Sequence, residues 1–151
     1  MIFMVNKVHG LKSVTNTKKL TNSKNLFKIF HQNIRGLKSK AYELSNSLSP
    51  DYPQIMCLNE HHPKDYDIDN LPTDHFKLGS RYSIHEFKNG GVCNFIHDDL
   101  DFFSISLDKC CKEKDTEVCA VKLNVTPIQL IIAIYRSPSG NFTNFLKNFV
   151  S

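Results

Sequence analysis

Leu130-Ile-Ile-Ala-Ile134 is apolar at every position and is bounded by Gln129 and by Tyr135-Arg136. So short a run without alternation marks a strand covered on both faces rather than one wet on one side. A chain holding such a strand must place protein on each side of the sheet that contains it. Two other strand-like runs, Phe27-Lys-Ile-Phe-His-Gln-Asn33 and Ile55-Met-Cys-Leu-Asn-Glu60, also close on a polar residue. Asn33, Glu60 and Tyr135 are therefore expected at strand ends, where an α/β sheet carries its chemistry.

Around these runs the pattern is α/β with mixed pairing. Gly36 supplies a turn after the first strand. Leu37, Ala41, Leu44 and Leu48 follow helical spacing, and Pro50 and Pro53 stop that helix. The second strand spans 54–59, and the polar stretch 61–74 reads as a loop. Strands are expected at 76–82, 91–96 and 102–107, with Asn89-Gly90-Gly91 a strong turn signal. A charged loop covers 110–116. Strands 117–125 and 129–135 flank Thr126-Pro127 as an antiparallel hairpin. Phe142, Phe145, Leu146 and Phe149 start a helix.

The 151 residues suit one domain. The net charge of +4 is unevenly spread: residues 1–26 hold five lysines and no acid, whereas 27–151 hold 14 basic and 15 acidic residues. The basic Asn/Thr/Ser/Lys-rich leader, 1–26, is expected to be disordered. It can attract nucleic acid without sequence preference, although charge runs are commonly just solvated. No apolar run approaches the roughly 18 residues of a spanning helix, which argues against a membrane protein. Met1–Val5 is too short for a secretory core, so a nuclear or cytoplasmic protein, not a secreted one, is expected. The acid-free leader would suit a mitochondrial transit peptide, but it contains no arginine. Five cysteines without a C-x-x-C spacing indicate neither a zinc site nor a disulfide framework. Cys57, Cys93 and Cys119 lie inside strand-like runs and read as small buried hydrophobes.

Each strand-end residue has a chemistry and a plainer alternative. Glu60 offers a carboxylate for Mg²⁺, which favours one or two carboxylates completed by water and phosphate; otherwise it is a solvated acid. Asn33 offers an amide to a phosphate oxygen or a metal; otherwise it starts a turn. Tyr135 offers a phenol to a phosphate; otherwise it is an amphipathic aromatic at a strand end. Arg136 could add a phosphate contact. His61 and His62 follow Glu60, but neighbours on a strand point to opposite faces, which disfavours both as ligands.

Gln32-Asn33-Ile34-Arg35-Gly36, Pro53-x-Ile-x-x-Leu-x-Glu60 and Ile134-Tyr-Arg-Ser-Pro-Ser-Gly140 together resemble the endonuclease/exonuclease/phosphatase superfamily. The branch they resemble is the apurinic-endonuclease-like nuclease domain of non-LTR retrotransposons, over about residues 27–151. That resemblance implies the N-terminal half of a four-layer α/β sandwich, a mixed sheet with flanking helices. It implies Mg²⁺ (or Mn²⁺) as cofactor, DNA as partner, and fusion to a reverse transcriptase in the family. Glu60 would bind the metal, Asn33 would hold phosphate or metal, and Tyr135 would orient phosphate. The family completes its site with a strand-borne Asp-x-Asn, a later Asp and an Asp-His pair near the domain's C-terminus, in a second half of the domain that the resemblance does not reach.

The expected function is thus a Mg²⁺-dependent DNA endonuclease, truncated and inactive as this chain stands. The alternatives are a non-catalytic remnant with non-specific nucleic-acid binding, or a phosphoesterase acting on lipid or nucleotide phosphates. A half-sandwich is also expected to leave one apolar sheet face bare, making the chain poorly soluble or oligomeric.

Overall fold

The computed structural model describes residues 2–6, 27–40, 53–62, 68–69 and 74–150. Its strands are β1 (Ile2–Asn6), β2 (Ile29–Asn33), β3 (Ile55–Asn59), β4 (Phe76–Tyr82), β5 (Val92–His97), β6 (Phe102–Ile105), β7 (Glu117–Leu123) and β8 (Gln129–Tyr135). Residues 37–40 are helical, a 3₁₀ turn spans Asp108–Cys110, and helix α1 covers Phe142–Val150. The expected continuation of the first helix through Leu48 lies outside the described residues.

Two four-stranded sheets result. The mixed sheet has the order β2-β3-β5-β4, with β2 parallel to β3 and the other pairs antiparallel. The second sheet, β1-β8-β7-β6, is antiparallel throughout. The fold is therefore α/β-like and mostly sheet.

Side-chain alternation divides β3 and β5 between two cores. Met56, Leu58, Cys93 and Phe95 pack on one side with Ile34, Leu37, Ile68 and Phe76. Ile55, Cys57, Val92 and Ile96 face the other way, onto Cys119, Val121, Leu123, Ile131 and Ala133 of the antiparallel sheet. On these faces the two sheets cover each other, and this shared layer is an apolar core. Cys57, Cys93 and Cys119 are buried free thiols, as expected from their runs.

Among the strands whose burial is described, the one with every residue buried is β3. In β8, Ile131, Ala133 and Ile134 are buried, but Leu130 and Ile132 are half-buried. Full burial falls on β3 because it lies inside its sheet and has a core on each face. The disorder expected over 1–26 is also corrected at its start. Ile2–Asn6 pairs with β8, from Ile2 opposite Ala133 to Asn6 opposite Gln129. An apolar run beside an open strand edge finds its backbone hydrogen bonds there; residues 7–26 lie outside the described residues.

The pairing of β4 with β5 slips between Leu78 and Ser80, leaving Gly79 as the extra residue of a bulge. Gly79 lies where the sheets touch. A Cβ there would come within 2.8 Å of both Ile96 Cγ1 and Val121 Cγ1. Gly79→Ala is expected to destabilise the fold by about 1–3 kcal/mol, the usual cost of overpacking a core. A lowered urea midpoint would bear this out, and an unchanged midpoint would show that the sheets can part there freely.

Candidate functional site

The ends of β2 and β3 are stitched to each other and to the start of β5 by backbone hydrogen bonds. Ile34 N–H donates to Asn59 O (3.0 Å), Gly36 N–H to Glu60 O (2.8 Å) and Leu37 N–H to His61 O (2.8 Å). Glu60 and His62 donate their own N–H groups to Gly91 O (2.8 Å) and Gly90 O (3.1 Å). Within this knot Arg35, Glu60 and His62 hold left-handed φ angles of 47°, 53° and 62°, and Gly36, Gly90 and Gly91 are also at positive φ. A left-handed non-glycine residue costs roughly 1–2 kcal/mol, and such strain gathers where surrounding structure enforces a geometry for use.

The left-handed turn at Glu60 sends its carboxylate across to the other sheet. Tyr135, the last residue of β8, donates its phenolic O–H to Glu60 Oε1 at 2.7 Å. The Asn33 side chain lies near enough to the same carboxylate to help lower its pKa. Two of the residues expected from the sequence at separate strand ends, Glu60 and Tyr135, therefore meet, with Asn33 near them. Partial burial pulls the Glu60 carboxyl upward. The hydrogen bond from Tyr135 and the nearby Asn33 side chain, with the charges of His62 and Arg35, outweigh it and hold the pKa below the ordinary value. Tyr135 is pushed up, by burial first and then by its bond to Glu60 and the charges of Glu60 and Glu117. The pair at neutral pH is thus a carboxylate and a neutral phenol.

Glu60 and Tyr135 line an open cleft of about 390 Å³ with Phe87, Lys88, Asn89, Lys114 and Ser137–Ser139. Arg136 is placed elsewhere. Its Nη1 donates to the carbonyls of Ser137 (3.2 Å) and Gly140 (3.1 Å), and its guanidinium lies 5.5 Å from the Phe142 ring centroid. It holds the 137–140 turn in shape and is absent from the lining. His61 is fully buried, donates Nε2–H to Tyr82 O at 3.2 Å and packs under Gly91. A Cβ on Gly91 would strike that ring at 2.5 Å, and its φ of 87° also favours glycine.

A buried acid supports the cleft from below. Glu117, at the start of β7 and opposite Tyr135 in register, is 0% exposed. Its Oε2 accepts from Gly91 N–H at 2.6 Å and its Oε1 from Lys114 N–H at 3.0 Å. Burial raises its pKa against the lowering effect of those two donors, and the charges of Glu113 and Glu60 raise it further. Glu113 acts similarly on the loop above: its two oxygens accept from the backbone N–H groups of His85, Glu86 and Phe87, the shortest contact being 2.6 Å. Asp115 ties down α1, accepting from Asn141 N–H (2.6 Å) and Asn144 Nδ2 (3.1 Å), while Asn141 caps the helix through its own Oδ1.

The sequence alone does not single out Phe87, Lys88, Lys114 or Glu117. The Asn89-Gly90-Gly91 turn signal is visible in it, but nothing in a linear reading joins that turn to the one at 112–116. A Mg²⁺ ion suits the donors present: an ionised Glu60, with the Asn33 carboxamide beside it and space for water and phosphate in the cleft. Among the described residues no group of three or more His, Cys, Asp or Glu side chains converges as a metal cluster. No helix of the described residues is long and apolar enough to cross a membrane. Comparison of the chain with protein-family models and with curated proteins finds no match.

Glu117→Gln keeps the size of the side chain but turns an NH₂ group toward a backbone N–H. It is expected to cost about 1–3 kcal/mol, the range for a buried donor left unpaired. Chemical denaturation measures this, and equal stability of the variant would mean that Glu117 is protonated and only one of its oxygens matters.

Proposed function

We propose that the cleft is the metal- and phosphate-holding part of a Mg²⁺-dependent DNA endonuclease site, of the kind found in non-LTR retrotransposon nuclease domains. The two sheets would then be the inner layers of a four-layer α/β sandwich, in a protein acting on DNA alongside a reverse transcriptase. The observation that carries this reading is the hydrogen bond from Tyr135 to Glu60, which joins strand ends of two different sheets, with Asn33 near the same carboxylate.

In this reading Glu60 holds the metal through its ionised carboxylate. A Mg²⁺ ion held there would supply stabilisation of the charge that develops on the phosphate oxygens as water attacks phosphorus. Tyr135 keeps its proton at neutral pH and turns its O–H toward a phosphate oxygen once that phosphate enters, and the Asn33 amide braces the same group. Arg136, expected from the sequence as a phosphate contact, instead shapes the 137–140 turn beside the cleft. Glu60 is the one acid among the described lining residues. Activation of the attacking water is therefore the step this chain performs least well, and loss of a general base slows such reactions by about 10²–10⁴-fold. The same observation favours a second reading, a non-catalytic remnant that binds nucleic acid without metal.

Mn²⁺ used as a paramagnetic stand-in for Mg²⁺ separates the two. Titration of the chain, followed by the resonance of free Mn²⁺, is expected to show one site strengthened by added duplex DNA and abolished in Glu60→Gln. Equal Mn²⁺ binding by the variant would end the metal reading. DNA binding indifferent to both chelator and Glu60→Gln would establish the remnant.

A further inference from the structure

The cleft has a second wall that the Glu60–Tyr135 pair does not use. Lys114 Nζ sits 3.5 Å from the centroid of the Phe87 ring, and Lys88 lines the same space. Both partners of this contact stand on fixed backbone. Lys114 is left-handed, with φ of 68°. Its N–H is given to the buried Glu117 and its carbonyl accepts from Ser137 N–H at 2.9 Å. Phe87 belongs to the run of three N–H groups clamped by the Glu113 carboxylate.

Two buried or half-buried acids thus spend their charge on backbone N–H groups, and the effect is to aim one lysine at one ring. Holding a cation over an aromatic face fixes its position without neutralising it. Among the described residues Lys114 has no ion pair. One carboxylate able to seat a metal and two lysines lining the same cleft make a charge pattern for an anion with more than one phosphate.

We infer that Lys114, seated on Phe87, and Lys88 form a second phosphate site, which binds the phosphate next to the one held at Glu60 on a polynucleotide strand. The inference rests on the phosphodiester reading of the cleft and deepens it. The ligand is a polyanionic strand, and a single phosphate monoester fills only half of the site. Asn89 and the hydroxyls of Ser137 and Ser139 line the space with uncharged hydrogen-bonding groups suited to the sugar and phosphate between.

The test is anisotropy of a labelled single-stranded DNA 12-mer with the full chain in EDTA, repeated across a salt series. Removing one lysine–phosphate pairing should reduce the slope of log affinity against log salt by about 0.7 for a single strand. Lys114→Gln and Lys88→Gln are each expected to weaken binding and to lower the slope by that amount, and Lys114→Arg to restore it. Phe87→Leu is expected to fall between native and Lys114→Gln, since it removes the seat and leaves the charge. The basic leader contributes equally to every variant and drops out of the differences. Lys109→Gln is the control, because Lys109 is exposed on the 3₁₀ turn and absent from the cleft lining. An unchanged slope in Lys114→Gln, an equal loss in Lys109→Gln, or no 12-mer binding by the native chain overturns the inference. Because EDTA removes any metal, failure here leaves the Mn²⁺ result at Glu60 standing, and failure there leaves this one standing.

Discussion

The apolar layer between the two sheets is the contact on which the site depends. Asn33 and Glu60 leave strands of the mixed sheet, and Tyr135 leaves the antiparallel one. Burial of Ile55, Cys57, Val92 and Ile96 against Cys119, Val121, Leu123, Ile131 and Ala133 sets the distance at which a phenol can reach a carboxylate. Apolar burial of this kind is non-directional. Direction comes from the bulge at Gly79, which lets the sheets approach, and from the parallel pairing of β2 with β3, which brings two strand exits to the same edge. Packing brings the halves together, and the 2.7 Å hydrogen bond between them records how closely.

Around that bond the chain accepts conformations that L-residues ordinarily avoid. Of the five non-glycine residues at positive φ among the described residues, Arg35, Glu60, His62 and Lys114 lie at the knot or the cleft, and His75 lies apart from them before β4. Glu60 and His62 are held by backbone hydrogen bonds to Gly91 and Gly90 and Lys114 by the buried Glu117 carboxylate, while Arg35 lies between Ile34 and Gly36, which both bond to the end of β3. Glu113 and Glu117 serve as anchors, because their oxygens are spent on N–H groups of the loops that wall the cleft. Of the acids near the cleft, Glu60 alone lines it. The side chain presented to the cleft as a charged acceptor is thus the one in a strained backbone, which is where stored strain and function coincide.

Much of this is legible in the sequence. Strands Phe76–Tyr82 and Gln129–Tyr135 have the bounds read from composition, since turn residues or polar residues close them on both sides. The strand expected over 102–107 ends at Ile105, because the chain already turns toward Asp108–Cys110. Asn33, Glu60 and Tyr135 can be picked out because a polar residue closing an apolar run is conspicuous. Glu117 opens a strand just as Glu60 closes one, yet in sequence it looks like a solvated acid. What buries it is two backbone donors, on Gly91 and Lys114, that no side-chain pattern reveals. Phe87 and Lys114 are far apart in the chain, on turns joined by a carboxylate, so their contact exists only in three dimensions. Strand β1 is hidden by the polar composition of the residues that follow it.

The measurement closest to the central claim is a ¹³C NMR titration of the Glu60 side-chain carboxyl in the native chain and in Tyr135→Phe. Ordinary glutamates titrate near about 4.3. Because the hydrogen bonds favour the charged form, native Glu60 should titrate below that value. The stability it contributes is then present above the ordinary pKa and lost as pH falls through the lowered one. Removing the phenolic O–H takes away a bond to the carboxylate, so the midpoint in Tyr135→Phe should move up as the effect of burial gains ground. A native Glu60 titrating at or above the ordinary value, or a midpoint indifferent to Tyr135→Phe, would contradict the account, because the two sheets would then not meet at this carboxylate in solution.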